Sequence, residues 1–220
     1  MTGEDRGGDE YEALLAANRE WAEDVSRSDP QLFESMAEGQ RPPFLLVACC
    51  DSREALEVAT KAGPGRLFIH RNVANQVRLD DPAMDATLEF ALKALPIRHL
   101  VVSGHTRCGG VEAALDGGGS RGVVRWVEPV RELAQRHREE LDALPDARAR
   151  SHRLTELNVV AQVTNLLRHP AVRRKLDGGG ELALHGWVFQ VESGMLREVE
   201  LPWDDWRQEG LLPSNRVTGR

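Results

Sequence analysis

The sequence predicts an α/β protein with a mostly parallel central sheet of about five strands, one of them an antiparallel edge strand, flanked by helices and preceded by an N-terminal helical arm. Two observations support this fold class. Short continuous apolar runs, typical of strands buried on both faces, alternate with segments of helical periodicity. The chain has 220 residues, 41% of them hydrophobic and 29% charged, which suits one globular domain with an added arm.

Residues 1–39 are predicted to form the arm. The polar, glycine-rich residues 1–9 are expected to be disordered. Apolar residues then recur at helical spacing over 10–36, and Asp29-Pro30 is expected to divide this stretch into two helices. The predicted core domain covers 40–202, and residues 203–220 are expected to be a C-terminal tail.

Within the core domain, strands and helices alternate along the chain. The predicted strands are 44–49, 66–69, 99–103, 182–189 and 195–201, and the last two form a hairpin around Ser193-Gly194. The predicted helices are 54–61, 85–95, 110–115, 123–144 and 151–167. Each of the first and third strands runs directly into a polar motif that precedes a helix.

Composition argues against several classes of partner. The net charge of −7 makes nucleic acid an unexpected partner. No stretch approaches the roughly 18 consecutive apolar residues that cross a bilayer, so no membrane association is expected. The N-terminal residues lack the layout of a secretory signal, which predicts a cytoplasmic location. Three cysteines are too few for a disulfide scaffold, so they are better candidates for metal ligands or nucleophiles.

Two motifs carry the candidate chemistry. Cys49-Cys50-Asp51-Ser52-Arg53 follows the first strand, and Gly104-His105-Thr106-Arg107-Cys108-Gly109-Gly110 follows the third. Functional groups in parallel sheets gather beyond the carboxyl ends of the strands, so the two motifs are expected to meet. Zinc favours thiolate and imidazole ligands in a tetrahedron. Cys49, His105 and Cys108 would supply three ligands and leave the fourth position open, as in catalytic zinc sites.

Neighbouring residues admit more than one interpretation. Asp51 can accept a hydrogen bond from a zinc-bound hydroxide while Arg53 orients it, or it can ligate the metal itself and close the site. A third possibility is a capping box, in which Asp51 and Glu54 open the next helix. Side chains alternate along a strand, so Cys50 is expected to pack away from the metal.

The two motifs resemble the signature pair of the β-class carbonic anhydrases. Residues 65–75, 156–159 and 185–188 match further stretches of that family, so the resemblance covers about residues 40–200. It implies a Zn²⁺ cofactor on Cys49, His105 and Cys108, with Asp51 and Arg53 as the catalytic dyad. The implied reaction is the reversible hydration of carbon dioxide to bicarbonate and a proton through zinc-bound hydroxide.

The resemblance also implies substrate contacts and a partner. Gln40 matches a glutamine that hydrogen-bonds bicarbonate across a dimer interface in one subgroup. Phe68 and Val73 match apolar pocket positions, and Gly109 matches a backbone amide near the substrate. Each position also has a plain structural explanation, as an exposed amide, core residues and a helix-entry glycine. Members of the family form homodimers or dimer-based tetramers, and the arm is a candidate element for embracing a partner.

Several positions depart from the family pattern. Some members close their site through a regulatory bicarbonate pocket of tryptophan, arginine and tyrosine. Leu46, Arg71 and Phe189 stand at those positions here, and only the arginine retains a hydrogen-bond donor. Together with Gln40, this favours an open site. Tyr11, the single tyrosine, does not correspond to the pocket tyrosine of some open members.

Glu54-Ala55 replaces the usual Val-Pro after the Asp-Ser-Arg triplet, a change expected to affect helix entry more than zinc chemistry. Two other functions remain open at this point: hydrolysis of carbonyl sulfide or carbon disulfide on the same scaffold, and a non-catalytic zinc or bicarbonate-sensing module.

Overall fold

Two helices make up the N-terminal arm in the computed structural model, which describes residues 5–212 and 217–218. The chain divides into two compact units, Met1–Gln40 and Arg41–Arg220. In the first unit, α1 spans Asp5–Ser28 and α2 spans Leu32–Ala37. The break between them lies at Asp29-Pro30, as predicted. The Trp21 ring meets the edge of Phe33 at a centroid distance of 5.7 Å and links the two helices.

The start of the arm differs from the prediction. Residues 5–9 are helical rather than disordered, and residues 1–4 lie outside the described part of the chain. Gly7 and Gly8 lie within this part of α1 despite the low helix propensity of glycine.

A mixed sheet forms the centre of the second unit. Its strands are β1 Phe44–Cys49, β2 Leu67–Asn72, β3 His99–His105, β4 Leu182–Gln190, β5 Met195–Glu198 and β6 Val217–Thr218. They are arranged in the order β2-β1-β3-β4-β5, with β6 paired to the first residues of β4. Only β5 runs antiparallel to its neighbour among the described strands. The predicted fold class, a mostly parallel sheet with one antiparallel edge, is confirmed.

Nine helices accompany the sheet in the described part of the second unit. They are α3 Leu56–Ala59, α4 Pro82–Ala94, α5 Gly109–Asp116, α6 Arg121–Trp126, α7 Glu128–Arg136, α8 Arg138–Asp142, α9 Ala147–Arg168, α10 Pro170–Asp177 and α11 Trp203–Gln208. A 3-10 turn, Val73–Asn75, follows β2. Across residues 5–212, every helix is either too short or too polar to cross a membrane.

Local chemistry explains where several helices begin. Pro82 and Pro129 stand in the first turns of α4 and α7, where the missing N–H costs no hydrogen bond. Asp81 caps α4 by accepting a hydrogen bond from the Ala83 N–H. The helix predicted over 123–144 is in fact three helices, α6 to α8. The break between α6 and α7 lies at Pro129, whose missing N–H cannot continue the hydrogen-bond ladder of α6.

The apolar core lies on both faces of the sheet. Leu45 and Val47 of β1 belong to the larger cluster, which includes residues of α4, α9 and α10. Leu46 belongs to a separate cluster with Phe189. Trp206, which is 2% exposed, belongs to the larger cluster as well. Trp206 and Leu212 therefore belong to the core, although the sequence placed residues 203–220 in a C-terminal tail. Removing a buried tryptophan side chain typically costs several kcal/mol of stability.

Candidate metal centre

The candidate ligands come from three adjoining elements. Cys49 is the last residue of β1, His105 the last of β3, and Cys108 the residue that precedes α5. β1 and β3 are neighbours in the sheet, although β2 lies between them in sequence. The chain therefore leaves β1 towards one side and β3 towards the other, which opens a crevice at the carboxyl ends of the strands. All three side chains are buried in that crevice.

The ligand atoms are close enough to share one ion. The sulfurs of Cys49 and Cys108 lie 4.0 Å apart, and the three ligand atoms all lie within 4.8 Å of one another. Two sulfurs bound tetrahedrally to zinc at 2.3 Å would be about 3.8 Å apart. The observed separation thus needs only a small adjustment.

His105 presents the correct nitrogen. Its Nδ1 hydrogen-bonds the Thr106 carbonyl oxygen at 2.9 Å, which requires the proton on Nδ1 and leaves a lone pair on Nε2. That Nε2 atom is buried and has no hydrogen-bond partner among the described residues. An unpaired buried nitrogen costs free energy unless something binds it, so the donor set fits a divalent metal.

The two thiols form a coupled pair. The hydrogen bond from Cys108 lowers the pKa of Cys49, an effect that burial opposes. The same bond, together with burial, raises the pKa of Cys108 above its ordinary value. The pair therefore carries one negative charge readily and resists the second. A bound cation would replace the shared proton and stabilise both thiolates.

Asp51 and Arg53 form the predicted dyad. Arg53 donates from Nε to Asp51 Oδ1 at 2.9 Å and from Nη2 to Oδ2 at 2.7 Å. These bonds, the side-chain hydrogen bonds above all, lower the pKa of Asp51 to about 2. Asp51 Oδ2 lies 3.8 Å from His105 Nε2. An ionised, oriented carboxylate therefore borders the ligand set.

Glu54 does not form a capping box with Asp51, one of the arrangements that the sequence allows. Its side chain is 1% exposed and accepts hydrogen bonds from the Cys49 N–H at 2.8 Å and the Ser103 hydroxyl at 2.6 Å. Burial raises the pKa of Glu54 to about 7, which the bond from Ser103 partly opposes. Its carboxylate is turned inward, and α3 begins at Leu56. Glu54 therefore contacts the backbone of a candidate ligand, which the sequence did not indicate.

The remaining predicted residues are more widely distributed. Val73 packs with Cys49 and Cys108, and Gly109 opens α5 beside the site. Phe68 is not brought to the cluster: it pairs with Leu45, four positions before Cys49 and thus roughly 13 Å along the sheet, and stacks on Phe90. Gln40 is an exposed residue at the end of the first unit.

The sequence predicted that the Cys50 side chain packs away from the metal, whereas the structure shows it exposed. β1 ends at Cys49, so the alternation of strand side chains no longer applies to the next residue. A free thiol that lies next to a candidate ligand, yet outside the ligand set, is a natural control position.

Several residues that the sequence did not single out form hydrogen bonds next to the candidate ligands. Asn158 and Gln76 donate side-chain hydrogen bonds to the Ala74 carbonyl at 3.0 and 2.6 Å. Ala74 has a positive φ of 59° and lies in the same buried cluster as Cys49. Glu192 accepts from the Thr106 hydroxyl at 2.6 Å. The match at residues 156–159 is a sequence signal for Asn158, whereas none marked Glu192.

Comparison with known proteins agrees with this geometry. A family model described as carbonic anhydrase matches residues 44–196, which contain all three candidate ligands and the Asp51–Arg53 pair. The carbonic anhydrase of Emericella nidulans is 32% identical over 191 residues, covering 87% of this chain and 84% of that protein. The β-carbonic anhydrase CafA of Aspergillus fumigatus has a TM-score of 0.85 at 35% identity, covering 93% of this chain and 100% of that one.

The chain belongs to the β-class carbonic anhydrases. A structure of tetrameric β-carbonic anhydrases from Sordaria macrospora is also similar, with a TM-score of 0.81 at 34% identity over 87% of this chain and 97% of that one. The reaction of this β-carbonic anhydrase is the reversible hydration of carbon dioxide. The resemblance that the two motifs carried is confirmed.

Proposed function

We propose that this β-carbonic anhydrase binds one zinc ion through Cys49, His105 and Cys108 and hydrates carbon dioxide at that ion. The observation that carries the proposal is the buried, unpartnered Nε2 of His105 facing two buried thiols, with all three ligand atoms within 4.8 Å. Two sulfurs and one imidazole nitrogen are a soft donor set that suits zinc and leaves a fourth position for water.

The metal and the protein would divide the chemistry. A zinc ion in this site would lower the pKa of a bound water towards neutrality and so supply the nucleophile. Asp51 Oδ2, held by Arg53, accepts a hydrogen bond from the reacting water and orients its lone pair towards the carbon of carbon dioxide. Arg53 also donates to the Arg107 carbonyl at 2.9 Å and so holds the loop between His105 and Cys108. Water and carbon dioxide yield bicarbonate and one proton, which leaves to buffer.

We infer that the fourth position holds water rather than Asp51. Both Asp51 oxygens accept hydrogen bonds from Arg53, so closing the site would require breaking a bidentate pair. Arg71 is engaged as well, donating to the Cys49 carbonyl at 2.7 Å and to Glu57 at 3.1 Å. Leu46 and Phe189 are both buried in one apolar cluster and offer no donor to a bicarbonate ion.

We propose that Gly109 and Val73 contact the substrate within one chain, and that Gln40 and Phe68 do so across an interface between two copies. Phe68 lies too far along β2 to reach the metal centre of its own chain. A homodimer or dimer-based tetramer would let a second copy supply it, and the Sordaria macrospora enzymes are tetrameric. Three free cysteines suit a reducing compartment such as the cytoplasm, which we propose as the location.

The test combines metal analysis with stopped-flow carbon dioxide hydration. Wild type should contain about one zinc per chain, and Cys108→Ser should lose most of the metal and the activity, because a catalytic site has only three protein ligands. Cys50→Ser is the matched control, since its thiol is exposed and outside the ligand set. Full activity of Cys108→Ser, or equal damage from both substitutions, would contradict the assignment. Turnover of carbonyl sulfide in the same preparations tests the alternative substrate.

A further inference from the structure

Glu54 is a buried carboxylate between the two strands that carry metal ligands. Its Oε2 accepts the Cys49 N–H at 2.8 Å, and its Oε1 accepts the Ser103 hydroxyl at 2.6 Å. Cys49 is the last residue of β1, and Ser103 lies two residues before His105 on β3. We propose that Glu54 is a positioning residue of the metal centre, which holds the ligand-bearing end of β1 at a fixed distance from the ligand-bearing end of β3.

The strand pairing shows why this connection through Glu54, called the clamp below, is needed. The register between β1 and β3 ends at Ala48 and Ser103. The Cys50 N–H donates to the Asn72 carbonyl on the β2 side, so the Cys49 N–H points to the β3 side by alternation. The pairing with β3 has ended by this residue, and the Glu54 carboxylate accepts the Cys49 N–H. Glu54 thus continues the connection between β1 and β3 to the residue that supplies the sulfur.

Stability alone does not account for a carboxylate at this position. Among the described residues, Glu54 has no cationic partner, and its two hydrogen bonds come from neutral donors. Burying an unpaired carboxylate carries a large desolvation cost that an apolar side chain would avoid. A costly group at a candidate site is expected where its geometry serves function.

Three substitutions separate hydrogen bonding from charge. Glu54→Gln keeps an oxygen for the Cys49 N–H and offers an amide N–H to the Ser103 oxygen, while removing the charge. Glu54→Leu keeps much of the volume but neither bond, and Ser103→Ala removes one anchor. Leu56→Ala is the control for lost packing, because Leu56 is fully buried nearby and its apolar side chain makes no hydrogen bond to the ligand strands.

The readouts are zinc affinity of the purified full chain, by competition with a chromophoric chelator, and the visible spectrum of the Co²⁺-substituted protein. We expect Glu54→Leu to weaken zinc binding by about 10–100-fold and to alter the Co²⁺ ligand-field bands. Glu54→Gln should stay within about threefold of wild type, and Ser103→Ala should fall between the two. Adding Ser103→Ala to Glu54→Leu should cost nothing further, because the shared interaction is already lost. Leu56→Ala should lower the melting temperature and leave zinc affinity within about threefold.

Wild-type affinity and an unchanged Co²⁺ spectrum in Glu54→Leu would overturn the positioning role. Equal losses in Glu54→Gln and Glu54→Leu would overturn it too, since charge would then be what matters. If Glu54→Leu does not fold, wild-type zinc affinity and an unchanged Co²⁺ spectrum in Ser103→Ala would overturn the clamp, because that variant removes one of its two hydrogen bonds. The role of Glu54 rests on the proposed zinc site, but different results would contradict the two proposals. Wild type without bound zinc would contradict the site, whereas zinc-loaded wild type with indifferent variants would contradict only the clamp.

Discussion

Arg53 supports two parts of the metal centre with one guanidinium. It donates to both oxygens of Asp51 and, at 2.9 Å, to the backbone carbonyl of Arg107. Arg107 lies between His105 and Cys108 with a φ of +58°, a left-handed conformation that costs a residue other than glycine about 1–2 kcal/mol. Arg53 therefore fixes the orientation of the carboxylate and stabilises the strained loop that carries two candidate ligands.

Replacing Arg53 by lysine tests this double role. Lysine keeps the charge, but its single ammonium cannot bind both Asp51 oxygens in parallel and still reach the Arg107 carbonyl. We expect the turnover number for carbon dioxide hydration to fall by about 10–100-fold while the zinc content stays near that of wild type. Stopped-flow assays and metal analysis measure the two quantities. Arg66→Lys is the control, because Arg66 is exposed and makes no ion pair among residues 8–212. Unchanged turnover in Arg53→Lys would show that its geometry is dispensable.

At the residue scale, the sequence predicted which side chains meet at the candidate site but not that Glu54 hydrogen-bonds the backbone of one of them. The meeting of Cys49, His105 and Cys108 was predictable because the carboxyl ends of parallel strands lie at one edge of the sheet, and their ligand atoms lie within 4.8 Å of one another. Glu54 was not, because the unpaired N–H that it satisfies exists only where the pairing of β1 with β3 ends. That register is a long-range property, whereas the capping-box pattern that Glu54 imitates is local.

At the scale of elements, α9 packs unusually close to the sheet. A Cβ atom on Gly104 of β3 would lie 2.9 Å from a Val159 methyl carbon, and one on Gly186 of β4 would lie 2.8 Å from the other. Glycine at both positions lets Val159 settle between the strands. Asn158, on the same helix, donates a hydrogen bond to the Ala74 carbonyl. The close packing of α9 on the sheet therefore also positions a hydrogen bond near Cys49.

Gly186→Ala should loosen this contact. The new methyl group would meet Val159 at 2.8 Å and Leu201 at 3.2 Å, in a core with little room to adjust. We expect a loss of about 1–3 kcal/mol in the free energy of unfolding, measured by urea denaturation. Adding Val159→Ala should recover part of that loss, since the clash disappears. Gly122→Ala in α6 is the control: its added methyl would meet open space, so its stability should stay level or rise by up to about 1 kcal/mol. A neutral Gly186→Ala would disprove the tight packing.

Elements were predictable to the extent that their signals are local. The apolar runs of β1, β3 and β4 were recognised because each is bounded by turn residues. α10 was missed because it is only eight residues long and a single residue, His169, separates it from the end of α9. Trp206 was assigned to a tail because nothing in its own segment shows that it packs against α9, where its indole N–H donates to Thr164 at 3.1 Å.

At the scale of the whole molecule, Glu192 connects the metal centre to distant elements. It lies just after β4 and accepts hydrogen bonds from Thr106 at 2.6 Å, Arg107 at 3.2 Å and Arg148 at 2.8 Å. Arg148 stands in the first turn of α9, so one carboxylate joins the ligand loop, β4 and α9. The hydrogen bond from Thr106, followed by the backbone and arginine contacts, lowers the pKa of Glu192 to about 2.

The lowered pKa of Glu192 makes its contribution to folding depend on pH. A carboxylate with a lower pKa in the folded state than in the unfolded chain stabilises the fold fully above the unfolded value of 4.5, and this stability is lost as the pH falls towards about 2. Glu192→Gln cannot ionise there. We therefore expect metal-free wild type to be more stable than Glu192→Gln at pH 7, and the difference to shrink steadily between about pH 4.5 and 2. Urea unfolding at pH 7, 4 and 3 measures it. Glu139→Gln is the control, because Glu139 is exposed and has no ion-pair partner in the described part of the chain. A difference for Glu192→Gln that is constant with pH would show that the carboxylate does not act as a charged link.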